Sequence, residues 1–169
     1  MRIAVSNASP LILLAKVGAL GILTFFFDKI LIPPTVHKEV TNEGHEQIHP
    51  DAILIKKLVD EQRIVVRADF QHVLTERRFS SSNIHPGELE ALELALSLKD
   101  EKIILLDDEE ARKIARSFNL HVKGTLGLLI DYRKAKQVDK PGALVLLDEL
   151  NKIMYLSADL YRVVEKNLQ

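Results

Sequence analysis

The chain has 169 residues and a mass of 19.1 kDa, the size of one domain that buries roughly 70% of the surface its unfolded chain exposes. With 47% apolar and 28% charged residues it has a globular composition, and the absence of cysteine excludes disulfides, thiolate metal sites and cysteine nucleophiles. Lys and Arg total 23 against 24 Asp and Glu, a net charge of −1, so only the placement of charge can point to a nucleic acid. The N-terminus has no signal-peptide order. The longest apolar stretch, Leu11 to Phe27, is interrupted by Lys16, glycines and Thr24; it reads as one buried helix, too short to span a membrane. A cytoplasmic protein with no membrane partner is expected.

Short β-branched runs alternate with helical patterns. Ile3 to Val5 reads as a buried strand ended by the polar Ser6-Asn7-Ala8-Ser9-Pro10 turn. Ser9 is the expected cap of the next helix, with Pro10 at its first position. Ile30 to Ile32 is a second strand stopped by Pro33-Pro34, and Thr35 to Val40 a short helical turn. A helix over Asp51 to Gln62 leads to a third strand, Ile64 to Val66, and residues 72–83 read as a polar loop or a frayed helix. Gly87 to Leu98 is an amphipathic helix before a fourth strand, Ile103 to Leu106. Glu109 to Phe118 and Leu126 to Ala135 are helices flanking a short strand at His121-Val122. Pro141 opens a last helical region with a break near Ser157. Strands separated by helices imply right-handed crossovers and a parallel sheet covered on both faces. The predicted architecture is a three-layer α/β sandwich with a four- to five-stranded, mainly parallel sheet. It forms one domain over 1–169, with a C-terminal helical extension from about 141.

Ligands of such sheets bind beyond the carboxyl ends of the strands. Ser6-Asn7 ends strand one and Asp107-Asp108 ends strand four, while Glu88 opens the helix feeding strand four and Glu39 lies after strand two. A carboxamide and several carboxylates at one edge are hard oxygen donors, suited to Mg²⁺ or Mn²⁺ and not to zinc. Taken singly, each has a plainer role: Asp107, Asp108 and Glu88 as helix caps, Glu39 as a solvated surface acid, Asn7 as a turn residue. From Glu88 to Glu110 there are nine acidic and two basic residues, whereas Arg112 to Lys140 holds eight basic and two acidic. An acidic edge beside Arg112, Lys113, Arg116 and Lys123 suits metal-assisted cleavage of a phosphodiester.

His45-Glu46-Gln47-Ile48-His49 matches the H-E-x-x-H zinc-protease pattern. Pro50 directly after His49 disfavours the helical geometry that chemistry needs, and the segment lacks an apolar stripe. No phosphate-binding loop, complete dinucleotide fingerprint or nucleophile elbow occurs.

The segments Val5-Ser6-Asn7-Ala8-Ser9-Pro10-Leu11-Ile12, Val36-His37-Lys38-Glu39-Val40, Gly87-Glu88-Leu89-Glu90-Ala91 and Leu105-Leu106-Asp107-Asp108-Glu109-Glu110-Ala111-Arg112, followed by Gly124-Thr125-Leu126-Gly127, together resemble the PIN-domain family. The likeness is to its prokaryotic branch related to VapC-type toxins. It implies a Mg²⁺- or Mn²⁺-dependent endoribonuclease acting on RNA, with a toxin of a toxin–antitoxin pair or a catalytically weak binding module as alternatives. By position, the family's acids fall on Asn7, Glu39, Glu88 and Asp107, with Asp108 a near alternative to the last. Glu39, Glu88 and Asp107 are then the catalytic acids, and Ser9 and Thr125 supporting hydroxyls. An amide at Asn7 can ligate a metal but brings no charge and cannot act as a base. The apolar positions Leu144, Leu147, Leu150, Ile153, Met154 and Leu156 suggest either core packing or a homodimer contact.

Overall fold

A computed structural model describes residues 1–41, 49–71, 74, 84–99 and 103–169. The elements run β1 (Ile3–Ser6), α1 (Ala8–Lys16), α2 (Gly21–Phe26), β2 (Lys29–Ile32), α3 (Pro34–Thr41), α4 (Pro50–Asp60) and β3 (Ile64–Val66). They continue with α5 (Pro86–Ser97), β4 (Ile103–Leu105), α6 (Glu109–Ser117), β5 (His121–Lys123), α7 (Thr125–Lys134), α8 (Lys140–Met154) and α9 (Ala158–Asn167). All five strands are parallel, in the order β3-β2-β1-β4-β5.

The strand side chains sort by alternation into two apolar layers, as the period of two demands. Ala4, Ile30, Ile32 and Leu105 face a core built with α1, α2, α3, α4, α7, α8 and α9. Val5, Leu31, Ile104 and Leu106 face a second core built with α5 and α6. Both faces are covered, which is why the strands read as continuous apolar runs.

The expected single helix from Leu11 to Phe27 is two helices. The chain breaks at Gly18, whose φ of +67° is open to glycine at little cost. The expected cap also moves: Asn7 is the N-cap residue of α1, so Ser9 and Pro10 lie within its first turn. The break near Ser157 is present, with the Ser157 hydroxyl accepting from the Leu160 N–H at 3.3 Å. Leu147 and Leu150 are fully buried, and Leu144, Ile153, Met154 and Leu156 pack against the same core. Core packing therefore engages all six positions that suggested a homodimer contact, and the solvent-facing apolar residues of this region are Val145, Tyr155, Leu160 and Val163.

Residues 45–48 of the H-E-x-x-H match and all of the 72–83 loop save Leu74 lie outside the described residues. His49 has extended backbone (φ −74°, ψ 148°) ahead of Pro50 at the start of α4, the conformation that a following proline favours. Among the described residues no helix is long and apolar enough to cross a membrane.

Candidate active site

Sheet order decides where a site can form. From β1 the chain proceeds outward through β2 and β3, then returns to the other side of β1 for β4 and β5. The order reverses between β1 and β4, and a crevice opens at such a switch point beyond the strand ends. Asn7 and the Asp107-Asp108 pair stand there together, with the Asn7 N–H donating to the Leu105 carbonyl at 3.2 Å.

Asn7 is 3% exposed. Its side chain does not cap α1; instead Nδ2 points toward Glu88 Oε1 at 3.5 Å, and Oδ1 is buried with no hydrogen-bond partner. An orphaned buried acceptor is uncommon in folded proteins and calls for an explanation.

Glu88 occupies the first turn of α5 and is 8% exposed. Its Oε2 accepts from the His85 N–H at 3.2 Å, one half of a capping box. Burial pushes its pKa up, the His85 N–H opposes this, and the charges of Asp108 and Glu39 raise it further against the pull of His85. The charges of two other acids therefore act on Glu88.

Glu39 is exposed as a residue, but its carboxylate end lies against Gly87 of α5. Burial there raises its pKa, His85 lowers it and Glu90 raises it. Glu90 is itself engaged, accepting from the Thr35 N–H at 3.2 Å and the Thr35 hydroxyl at 2.7 Å, which ties α5 to the start of α3.

The two aspartates diverge. Asp108 is the N-cap of α6, accepting from the Ala111 N–H at 2.8 Å, and its charge acts on Glu88. Asp107 turns toward β5 and α7. Its Oδ1 accepts from the Thr125 N–H at 2.7 Å and Oδ2 from the Thr125 hydroxyl at 2.6 Å. Burial raises the Asp107 pKa; the two Thr125 bonds and the Arg112 charge lower it in part. A Cβ on Gly124 would stand 2.9 Å from both Asp107 Oδ1 and an Arg112 terminal nitrogen, so only glycine lets these groups close over the β5–α7 junction.

Three of the four cations read as RNA contacts have partners within the chain. Arg116 lies 3.5 Å from Glu109, Arg112 lies 3.9 Å from Glu109 and beside Asp107, and Lys123 pairs with Asp131. The sequence reading left out His85 and gave Gly87 and Gly124 no role of their own. The signals were present in His85-Pro86-Gly87-Glu88, a cap with an acid three residues on, and in a glycine directly before Thr125.

Among the described residues no three acidic or histidine side chains gather closely enough to enclose a cation. Mg²⁺ does not require such a cage, since it keeps several waters and typically takes one or two carboxylates. Asn7, whose Nδ2 stands 3.5 Å from Glu88 and whose buried Oδ1 has no partner, fits that requirement together with Glu88 and Asp108, whose charge acts on Glu88, as residues with oxygen donors.

The fold is a parallel α/β sandwich with Asn7 and Glu88 at its switch point. A family model described as a PIN domain matches residues 3–169, and the chain belongs to that family. No curated protein and no solved structure matches the chain.

Proposed function

We propose that the protein is a divalent-metal-dependent endoribonuclease of PIN type with an attenuated site. The buried Asn7 carries this reading: at the β1–β4 switch point its Nδ2 meets Glu88 and its Oδ1 is left without a partner. Asn7 Oδ1, Glu88 and Asp108 would hold Mg²⁺ or Mn²⁺, with Glu39 at the rim. When bound, the cation supplies Lewis-acid chemistry, neutralising charge on a phosphoryl group and acidifying water. Glu39, exposed as a residue and with a raised pKa, would accept the proton of an attacking water. Asp107, bonded twice to Thr125, orients the β4–β5 edge, and the charge of Asp108 acts on Glu88. RNA backbone phosphates would meet Lys113 and compete with Glu109 for Arg112 and Arg116.

An amide at position 7 leaves the site one negative charge short, so cation affinity and turnover are low. The same observation favours a second reading, a PIN-like module that binds RNA or a protein partner without cutting. A VapC-type pairing with an antitoxin is compatible with either.

Single-stranded RNA incubated with the protein and Mn²⁺ separates the two. Cleavage that is lost with EDTA and in Glu88→Gln, and raised about tenfold or more in Asn7→Asp, supports the nuclease. RNA binding without cleavage by either the wild type or Asn7→Asp supports the binding module.

A further inference from the structure

Gly87 is the second residue of α5, a position where alanine would favour the helix. A Cβ there would lie 2.7 Å from Glu39 Oε1, 3.1 Å from Oε2 and 3.2 Å from the carboxyl carbon. Real Cβ atoms do not approach a carboxylate so closely; the Glu39 end group occupies the space a side chain would need. Gly87 has no positive φ to explain its presence, so close approach is the physical reason for glycine here.

From this contact we infer that Gly87 is a positioning residue, a seat that brings the carboxylate of Glu39 over the first turn of α5, beside Glu88. Glu39 rides on α3 and Glu88 on α5. With glycine at 87 the longer glutamate reaches inward; with any Cβ it swings out toward solvent, because its far end is flexible. The fold survives that swing and the acid pair does not. This inference rests on the reading of Glu39 and Glu88 as partners at one site.

The test is Gly87→Ala, with metal-free melting temperature and Mn²⁺ affinity measured side by side. A merely structural glycine predicts a melting temperature higher by about 2 to 4 °C, from helix propensity alone, and unchanged Mn²⁺ affinity. A seat predicts melting no lower than wild type but Mn²⁺ binding weaker by about 10- to 100-fold, the scale of losing a group that orients a ligand. Shortening the acid in Gly87→Ala/Glu39→Asp, which makes room for the new methyl group, should regain part of that affinity. Unchanged Mn²⁺ binding in Gly87→Ala overturns the seat. Wild-type protein that binds no Mn²⁺ overturns the metal reading instead, and a metal-free crystal structure of Gly87→Ala then decides the seat. A displaced Glu39 carboxylate supports it, and an unmoved one overturns it.

Discussion

Asn7→Asp restores the missing charge, and the geometry sets its cost. Asn7 and Glu88 are 3% and 8% exposed, and Nδ2 stands 3.5 Å from Oε1. The substitution exchanges a weak attraction for two buried carboxylates at that spacing. At an effective permittivity of 20, unit charges about 4 Å apart repel by about 4 kcal/mol. The alternative is protonation; holding an aspartate neutral at pH 7, some three units above its ordinary pKa, also costs about 4 kcal/mol. Side-chain relaxation trims either figure, so metal-free Asn7→Asp should be less stable by about 2 to 4 kcal/mol, or about 5 to 15 °C in Tm. The introduced carboxylate has a folded-state pKa above its unfolded one. Its penalty is therefore full at high pH and fades as pH falls toward about 4, where both states are protonated. Scanning calorimetry in EDTA between pH 4.5 and 8 reads this directly. Mn²⁺ at a hundred times its Kd should then return about 2.7 kcal/mol. Metal-free Asn7→Asp melting within about 2 °C of wild type at pH 7 would show that the two carboxylates do not share a dry site.

Thr125→Val removes the hydroxyl donor to Asp107 Oδ2 and leaves a charged acceptor short of a partner, costing about 2 kcal/mol and about 4 to 8 °C in Tm, while Thr125→Ser recovers most of it; equal melting of the two substitutions would count against the Asp107–Thr125 bond. Burial raises the pKa of Glu39, Glu88 and Asp107 above their ordinary values, so each favours unfolding when ionised. Metal-free stability should therefore rise as pH falls from 7 toward 4.5, and Glu88→Gln should raise stability at pH 7 and flatten the rise. Asp28 and Asp69, whose pKa values are lowered by hydrogen bonds from Arg2 and Arg67, lose their contribution only below that window. A wild-type Tm that falls over that interval would contradict the assignment. The Tyr161 hydroxyl donates to Asp148 Oδ1 at 2.5 Å, and its pKa is pushed up to about 12 by that bond; ultraviolet titration should show one tyrosine ionising late in wild type and at an ordinary pH in Asp148→Asn.

Element positions were largely legible from local pattern, since apolar runs of β-branched residues and amphipathic stretches report burial along a single segment. Strands at Ile3–Ser6, Lys29–Ile32 and Ile64–Val66 and helices such as Pro86–Ser97 fall within a residue or two of where that pattern puts them. The break at Gly18 escaped it, because the stretch on either side is equally apolar and only the packing of α1 and α2 shows the turn. Strand order was not legible at all, as nothing local to β1 says that β2 and β4 flank it. That order nonetheless creates the crevice in which Asn7 meets Glu88.

The candidate site divides in the same way. That oxygen donors stand at strand ends and first helical turns follows from sequence position alone. Which way each of two adjacent aspartates turns does not, since Thr125 and Arg112 capture Asp107 from elements that lie later in the chain. Charge runs likewise placed Arg112, Arg116 and Lys123 beside the site without revealing that Glu109, Asp107 and Asp131 already engage them. Residue type and local period determine which segments are buried and what chemistry each carries. The direction a polar side chain takes is set by partners distant in sequence, because a buried polar group goes where its hydrogen bonds are, and only the assembled fold brings those partners near.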